Sequence, residues 1–316
     1  MATNGVSNLR NKVPFNFLEH ITAGFSEERK LGTGALGTVY KGLLEDGTVI
    51  AVKRHVADAP GTHNQTAYCK KVMSLMRHTH ENLAKLLSFC LEENNRDYTR
   101  RVAEERIESL LCYEYFSRGS LHKSLFEEPA SNLDWNTRFK IIKGISEGLH
   151  FLHTVHEPDQ GRILHLDLKP KNIMLDDNMV PKITDFAYSR LYGKDTTRRS
   201  TVSSVGSVGY RAPEYVAGGH ISRRTDIYSL GLIIMEIITK EQNSSCADEP
   251  SAREFIEEVK RRWNSDGFII NEYRSLDKPA RRQVKACIEI GIKCVDLTEK
   301  ERPTTKYILE KLRQHS

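Results

Sequence analysis

The sequence predicts an α+β fold in which strands and helices are segregated along the chain. Within residues 31–56, β-branched side chains surround Gly42 and the dipeptide Asp46-Gly47, a pattern typical of strands joined by a hairpin turn. From residue 133 onward, apolar residues instead recur at the spacing of amphipathic helices. Because the strands come first and the helices follow, we expect a β-rich lobe and a mainly helical lobe.

The first third of the chain also contains a helix and two further strands. Apolar residues between Tyr68 and Met76 recur at helical spacing, and strand-like runs follow near residues 83–90 and 109–116. Residues 92–108 are densely charged with both signs. We expect this segment to be a solvated loop, with a docking site as the alternative.

Helices dominate the remainder of the chain. Leu133-Asp134-Trp135 opens the first, and a second begins at Asp226 and is apolar nearly all round, so we expect it to be buried. Further amphipathic helices are predicted near residues 252–263 and 279–294, and a joint near 117–120. The predicted organisation is a leader at residues 1–24, an N-lobe at 25–116 and a C-lobe at 117–316.

Composition argues against several function classes. The net charge is 47 − 42 = +5 and Lys and Arg alternate with acidic residues, which argues against nucleic-acid binding. The six cysteines form no C-x-x-C pair, which predicts reduced thiols and no metal site built on them. The longest apolar stretch, Leu230–Thr239, is too short to span a bilayer, so we expect a cytoplasmic location.

A glycine-rich run lies between the first two predicted strands. Gly32, Gly34, Gly37 and Val39 match the pattern G-x-G-x-x-G-x-V, and glycines let backbone N–H groups approach phosphate oxygens without a Cβ in the way. The pattern alone is weak, because it also marks the strand-to-helix turn of dinucleotide-binding folds and can be an ordinary tight turn. Its place between β-rich segments favours a hairpin that covers phosphates.

Lys53 follows the apolar run Ile50-Ala51-Val52, sixteen residues after Gly37. An ammonium group in an apolar strand is costly to bury without a counter-charge, so we expect the side chain to point into a polar cleft. The alternative is a solvated lysine at a strand edge.

The most informative segment runs from His165 to Asn172 and is followed thirteen positions later by Asp185. Asp167 and Asp185 supply two carboxylates, Lys169 supplies an ammonium group and Asn172 supplies an amide. All four lie between short apolar strand-like pieces. Carboxylate and amide oxygens suit Mg²⁺, and the ammonium can offset phosphate charge. Each residue alone could be a turn or cap residue, but the four at this spacing argue against coincidence.

These motifs resemble the protein kinase family, and within it the kinase domain of plant receptor-like and receptor-like cytoplasmic kinases. The resemblance covers roughly residues 25–312. It implies a two-lobed protein kinase fold, with one regulatory helix in the N-lobe and a mainly helical C-lobe. It also implies ATP and Mg²⁺ as cofactors and protein hydroxyls as acceptors.

The resemblance assigns roles to individual residues at the matching positions. Asp167 would orient the acceptor hydroxyl and take its proton, Lys169 would neutralise phosphoryl charge, and Lys53 would contact the α- and β-phosphates. Asn172 and Asp185 would hold the metal. The implied nucleotide site consists of Leu31, Gly32, Thr33, Gly34, Gly37, Val39, Ala51, Lys53, Glu114, Phe116, Met174 and Asp185.

The resemblance also implies structural roles outside the nucleotide site. Tyr113 would be the gatekeeper residue beside adenine. Glu214 would pair with Arg302, and Asp226 would anchor the catalytic loop.

Three family positions are altered in this chain. Lys71 stands where the family has a helix Glu paired with the strand Lys, and residues 59–80 contain no Asp or Glu. Two ammonium groups about 4 Å apart repel by about 1 to 4 kcal/mol, so we expect Lys71 to turn outward. Ala187 replaces the Gly of Asp-Phe-Gly, at a cost of about 1 kcal/mol if φ is positive there. Leu166 replaces the Arg that often receives an activation-loop phosphate.

The sequence therefore predicts a cytoplasmic serine/threonine protein kinase whose activity is weakened by Lys71 and Ala187. Its partners would be protein substrates and an upstream receptor or partner kinase, with attachment to the plasma membrane only through such partners. The alternative is a pseudokinase, a nucleotide-binding scaffold that signals through other proteins.

Overall fold

The computed structural model describes residues 9, 11–34, 37–55, 65–94, 106–128, 133–155, 162–186, 190–192, 206–243, 252–263 and 265–315. The chain divides into two compact units. The first unit comprises Met1–Thr79 with Ala84–Tyr115, and the second comprises His80–Leu83 with Phe116–Ser316. The first is built on a β-sheet and the second is mainly helical, which confirms the predicted α+β class.

The first unit contains a five-stranded antiparallel sheet with the strand order β1-β2-β3-β5-β4. The strands are β1 (Lys30–Gly34), β2 (Gly37–Leu43), β3 (Val49–His55), β4 (Leu86–Asn94) and β5 (Arg106–Glu114). Val52 on the central strand β3 lies opposite Tyr40 on β2 and Cys112 on β5. Gly47 in the β2–β3 turn has φ 84°, a left-handed conformation that glycine adopts without steric cost, as the Asp-Gly pair predicts.

Helix α1 (Phe15–Ile21) covers part of this sheet. Its apolar side chains are buried in one cluster with Ile50 and Leu110 of the sheet. The helix lies within residues 1–24, the segment predicted to be a leader. Seven residues provide only two turns of periodicity, too few to identify a helix in a polar background.

Helix α2 (Gln65–Arg77) is the helix predicted within the first third of the chain. Tyr68, Val72 and Leu75 are buried, as their helical spacing predicts. The helix packs against β4.

The hairpin formed by β4 and β5 extends further than the sequence predicts. Glu92 lies opposite Glu108 in the strand pairing, and Glu108 forms an ion pair with Arg54 at 2.6 Å. The prediction of a loop throughout 92–108 is therefore wrong at both ends, and residues 95–105 lie outside the described part of the chain. Backbone pairing continues past the last apolar side chain because antiparallel hydrogen bonds do not depend on side-chain type.

The second unit contains the longer helices and two small sheets. The helices are α3 (Trp135–Thr154), α4 (Pro213–Gly218), α5 (Arg223–Thr239), α6 (Arg253–Trp263), α7 (Asp266–Glu272), α8 (Lys278–Cys294) and α9 (Thr305–Arg313). The sheets pair β6 (Arg162–Leu164) with β9 (Arg190–Tyr192), and β7 (Ile173–Leu175) with β8 (Pro181–Ile183). Of the helices in the described ranges, none combines the length and the apolar character that a membrane crossing requires.

The starts of α3 and α5 follow from their capping residues. Asp134 caps α3 as predicted, since its carboxylate accepts a hydrogen bond from the Thr137 N–H at 2.8 Å. Helix α5 begins three residues before the predicted start at Asp226. The reason is a capping box, in which the Ser222 N–H donates to Thr225 Oγ1 at 3.0 Å while the Ser222 side chain accepts from the first turn.

Candidate active site

Buried Asp226 holds the loop that follows β6. Its carboxylate accepts hydrogen bonds from the backbone N–H groups of His165 at 2.9 Å and Leu166 at 2.8 Å. A third bond joins it to His153 Nε2 at 2.8 Å. Burial by itself would raise the pKa of Asp226, but the hydrogen bond and charge of His153 hold that pKa below its ordinary value of 3.8. The expectation that Asp226 anchors this loop is confirmed.

The structure brings Asp167, Lys169 and Asn172 together within this loop. Lys169 Nζ lies 3.0 Å from Asp167 Oδ2, and Asn172 Nδ2 donates to the same oxygen at 3.0 Å. Asn172 Nδ2 also donates to the backbone carbonyl of Asp167 at 2.8 Å. An ammonium group and an amide therefore fix one oxygen of the Asp167 carboxylate.

Ser207 completes this cluster, although it is not among the site residues predicted from the sequence. Its backbone N–H donates to Asp167 Oδ1 at 2.7 Å, and its hydroxyl contacts Lys169 Nζ. A Cβ on the neighbouring Gly206, which has φ 109°, would lie 2.7 Å from the Leu166 carbonyl oxygen. The available signal was the small residue between glycines in Gly206-Ser207-Val208-Gly209, which permits close approach to a loop distant in sequence.

Asp185 is joined to this cluster through the backbone beside it. The Thr184 N–H donates to the Asn172 carbonyl at 2.9 Å, and Thr184 Oγ1 donates to the same carbonyl at 3.1 Å. His165 Nε2 bonds to the Thr184 carbonyl at 2.8 Å. Asp185 follows in a left-handed conformation with φ 66°, which aspartate adopts more readily than most residues other than glycine. The segments that carry Asn172 and Asp185 are thus hydrogen-bonded neighbours.

The donor set at Asn172 and Asp185 fits Mg²⁺. Among the residues that the structure describes, no group of three or more His, Cys, Asp or Glu side chains could hold a metal ion. The Asn172 amide nitrogen makes both bonds to Asp167, so its oxygen faces away from Asp167. One or two protein oxygens are usual for Mg²⁺, because substrate phosphates and water supply the remaining ligands.

The glycine-rich run forms the β1–β2 hairpin of the first unit. A Cβ at Gly37, where φ is 146°, would lie 2.2 Å from the Arg54 carbonyl oxygen, so only glycine fits between β2 and β3. At Gly32 an added Cβ would meet no described atom within 4 Å. Gly37 therefore serves the packing of the strands, whereas Gly32 has open space beside its backbone.

Lys53 is buried in β3, with 6% of its surface exposed. It lies opposite Val39 on β2 and Leu111 on β5. Burial at this level argues against the alternative of a solvated lysine at a strand edge.

The remaining residues implied in nucleotide binding are divided between the two units. Leu31, Gly32, Thr33, Gly34, Gly37, Val39, Ala51, Lys53 and Glu114 belong to the first unit, and Phe116, Met174 and Asp185 belong to the second. Ala51 pairs with Tyr113, which is buried, and the Glu114 carboxylate accepts from the Lys85 N–H at 3.2 Å. Their grouping around a nucleotide stays a prediction.

The altered positions have different structural settings. Leu166 is buried and has φ 64°, and the hydrogen bond from its N–H to Asp226 holds this left-handed conformation. Lys71 is half-buried on α2, and its outward orientation stays a prediction. Ala187 lies outside the described residues.

The predicted pair of Glu214 and Arg302 is confirmed. Arg302 donates to both Glu214 carboxylate oxygens, at 2.8 and 2.7 Å, in a two-pronged arrangement. The Arg302 side chain is fully buried, and the pair joins α4 to the segment before α9.

A five-stranded sheet with a glycine-rich hairpin, and a helical unit whose loop joins Asp167, Lys169 and Asn172, are the features of a protein kinase domain. The chain belongs to the protein kinase family, since the sequence model of the protein kinase domain matches residues 25–314.

Its similar relatives include cysteine-rich receptor-like protein kinases of Arabidopsis thaliana. Cysteine-rich receptor-like protein kinase 26 is 37% identical over 311 residues, which cover 96% of this chain and 44% of the relative. Cysteine-rich receptor-like protein kinase 29 is 37% identical over 310 residues, covering 96% of this chain and 43% of the relative. The chain thus spans less than half the length of these curated relatives.

Proposed function

We propose that the chain transfers the γ-phosphoryl group of ATP to serine and threonine hydroxyls of proteins, and that an upstream receptor or partner kinase activates it. The observation that carries this proposal is the Asp167 carboxylate, which accepts three hydrogen bonds. Their donors are Lys169, Asn172 and the backbone N–H of Ser207. Such a carboxylate is positioned before any substrate binds, and phosphoryl transfer depends mainly on positioning and electrostatics.

The proposed reaction gives each side chain of the loop a task. Asp167 would accept a hydrogen bond from the acceptor hydroxyl and take its proton as the new O–P bond forms. Lys169, 3.0 Å from Asp167 Oδ2, would offset negative charge on the transferring group. Asn172 and Asp185 would hold Mg²⁺, which supplies positive charge to the phosphates.

We infer that activity is weakened because helix α2 lacks a carboxylate. Residues 59–80 contain no Asp or Glu, and Lys71 adds a positive charge to the helix. Helix α2 therefore offers no carboxylate that could help to orient Lys53. The groups proposed to contact phosphate, metal and hydroxyl are retained, so the rate should fall further than nucleotide affinity.

The Asp167→Asn variant tests the proposed reaction. Phosphate transfer from ATP to a generic protein substrate should fall by about 10² to 10⁴, because the amide cannot take the hydroxyl proton. The matched control is Asp266→Asn, an exposed Asp at the start of α7, which should transfer phosphate like wild type. Binding of Mg·ATP, read as a rise in Tm, should survive in both variants.

The alternative function is a pseudokinase, and the absence of a carboxylate from α2 is the observation that favours it. It predicts that wild type and Asp167→Asn are equally inactive while Mg·ATP still raises the Tm of both. That result would refute the kinase proposal and support a nucleotide-binding scaffold instead.

The Lys71→Glu variant tests the explanation for weakened activity. A carboxylate at position 71 would attract the Lys53 ammonium by about 1 to 4 kcal/mol at a separation of about 4 Å, where the Lys71 ammonium would repel it. We expect transfer to rise by at least about fivefold. The control is Lys70→Glu, since Lys70 is exposed on the same helix. A Lys71→Glu variant no faster than wild type contradicts this explanation.

A further inference from the structure

Three buried polar side chains join helix α2 to the sheet of the first unit. Tyr68 OH on α2 lies 2.7 Å from Ser109 Oγ on β5, and His55 Nδ1 on β3 lies 3.0 Å from the same oxygen. The exposed fractions of Tyr68, Ser109 and His55 are 8%, 1% and 5%. These residues form the Tyr68–Ser109–His55 relay.

The relay consists of neutral groups. Burial, reinforced by the charge of Lys53, lowers the pKa of His55 well below its ordinary value of 6.5, so the imidazole is neutral. Burial raises the pKa of Tyr68 to about 12, so the phenol keeps its hydrogen. A serine hydroxyl has one hydrogen and two lone pairs, so Ser109 can bond both neighbours at once. The relay therefore joins three structural elements without using a charge.

Two members of the relay lie close along the chain to Lys53 and Lys71. Lys53 and His55 are two positions apart on β3, so both side chains lie on the same face of the sheet. Tyr68 and Lys71 are three positions apart on α2 and are neighbours on the helix surface. Because α2 contains no acidic residue, it cannot attach to β3 through an ion pair between a carboxylate and Lys53. Hydrogen bonds must then supply that attachment.

We propose that the Tyr68–Ser109–His55 relay positions α2 against β3 and thereby orients Lys53 for nucleotide binding. The relay acts through the placement of Lys53, so its members are positioning residues. This inference rests on the proposed function, in which Lys53 contacts the nucleotide phosphates.

Two conservative variants of the full chain test the relay. Tyr68→Phe and Ser109→Ala each remove one hydroxyl and change the shape of the core little. For each we would measure the Kd of Mg·ATP by calorimetry, the KM for ATP, kcat, and the Tm without nucleotide. Each variant should weaken Mg·ATP binding about three- to tenfold, with a matching rise in KM and a smaller change in kcat.

The double variant and a control distinguish a relay from two independent contacts. The combined loss in Tyr68→Phe with Ser109→Ala should be no larger than the greater single loss, because one broken bond already interrupts the relay. The matched control is Tyr307→Phe on α9, whose hydroxyl accepts from Lys293 Nζ at 3.2 Å in the second unit. It should bind Mg·ATP like wild type.

Restoring a charge on α2 should rescue the broken relay. Lys71→Glu places a carboxylate one turn after Tyr68, so α2 gains its own attraction to Lys53. In the Tyr68→Phe background it should return the Kd of Mg·ATP to within about twofold of wild type.

The outcomes separate this inference from the proposed function. A wild-type chain that binds Mg·ATP without transferring phosphate refutes the kinase proposal, and the relay is then judged on Kd alone. Variants with a lowered Tm and an unchanged Kd would give the relay a purely structural role and overturn the inference. Additive losses, absence of rescue by Lys71→Glu, or a wild-type chain that binds no Mg·ATP would also overturn it.

Discussion

Glu236 in the last turn of α5 should make the stability of this protein depend on pH. The residue is fully buried, and its Oε1 accepts hydrogen bonds from Tyr210 OH at 2.8 Å and from the Asn243 N–H at 2.9 Å. Among the described residues, its Oε2 has no hydrogen-bond partner. Burial raises the pKa of Glu236 from 4.5 to about 7, although these two hydrogen bonds oppose the rise.

The sign and size of the effect follow from proton linkage. Between pH 4.5 and about 7 the unfolded chain releases the Glu236 proton while the folded chain keeps it, so the free energy of unfolding falls as the pH rises. Glu236 thus contributes most stability below pH 4.5, and this contribution is lost as the pH passes about 7. At about 1.4 kcal/mol per pH unit, the loss is about 3 kcal/mol.

The Glu236→Gln variant isolates this contribution, because the amide keeps the acceptor oxygen and does not titrate. An unfolding entropy of about 2.1 cal/mol/K per residue converts about 3 kcal/mol into a Tm change of about 5 °C for a chain of this length. Between pH 5 and 8 about 2.5 kcal/mol of this contribution is lost, so the wild-type Tm should fall by about 4 °C relative to the variant. Glu289→Gln, at an exposed position on α8, is the control and should follow wild type. A Tm difference between wild type and Glu236→Gln that is equal at both pH values would refute the reasoning.

Two further variants test the packing of the second unit. Gly148→Ala would place a Cβ 2.8 Å from the Asn82 carbonyl oxygen, so we expect thermal unfolding to show a free energy of unfolding lower by about 1 to 3 kcal/mol. The control is Gly218→Ala, where the added Cβ would meet no described atom within 4 Å, and equal Tm values for the two variants would count against the argument. Arg302→Lys replaces the two-pronged bond to Glu214 by a single donor, so we expect denaturant unfolding to show a free energy of unfolding lower by about 2 kcal/mol. A variant as stable as wild type would show that the second bond contributes nothing.

The long helices α3 and α5 can be predicted from the sequence, whereas the ends of strands β4 and β5 and the short helix α1 cannot, and the difference has a physical reason. Helix α5 was predicted because its apolar residues leave no polar face, and α3 because Asp134 marks its start. Both signals are local. The ends of β4 and β5 were misjudged because pairing between strands, which is non-local, extends them into charged sequence. Helix α1 was missed because its side chains are buried against a sheet whose strands lie further along the sequence.

The candidate site shows the same division. Asp167, Lys169 and Asn172 lie within six residues, so their spacing in the sequence already indicated a common site. Ser207 lies forty residues after Asp167, and its contact with that carboxylate depends on the tertiary structure. His153 was missed for the same reason, since its partner Asp226 is 73 residues away.

The amino-acid sequence by itself determined the family, the order of strands and helices, and the chemical groups that we propose for phosphoryl transfer. Those properties depend on residue type and short spacing, which the covalent chain fixes. Only the tertiary structure decided which distant groups are buried together, as in the Tyr68–Ser109–His55 relay and around Glu236. Burial removes water from a group and leaves it the few partners that the fold provides, so proton affinity and orientation emerge only when the chain has folded.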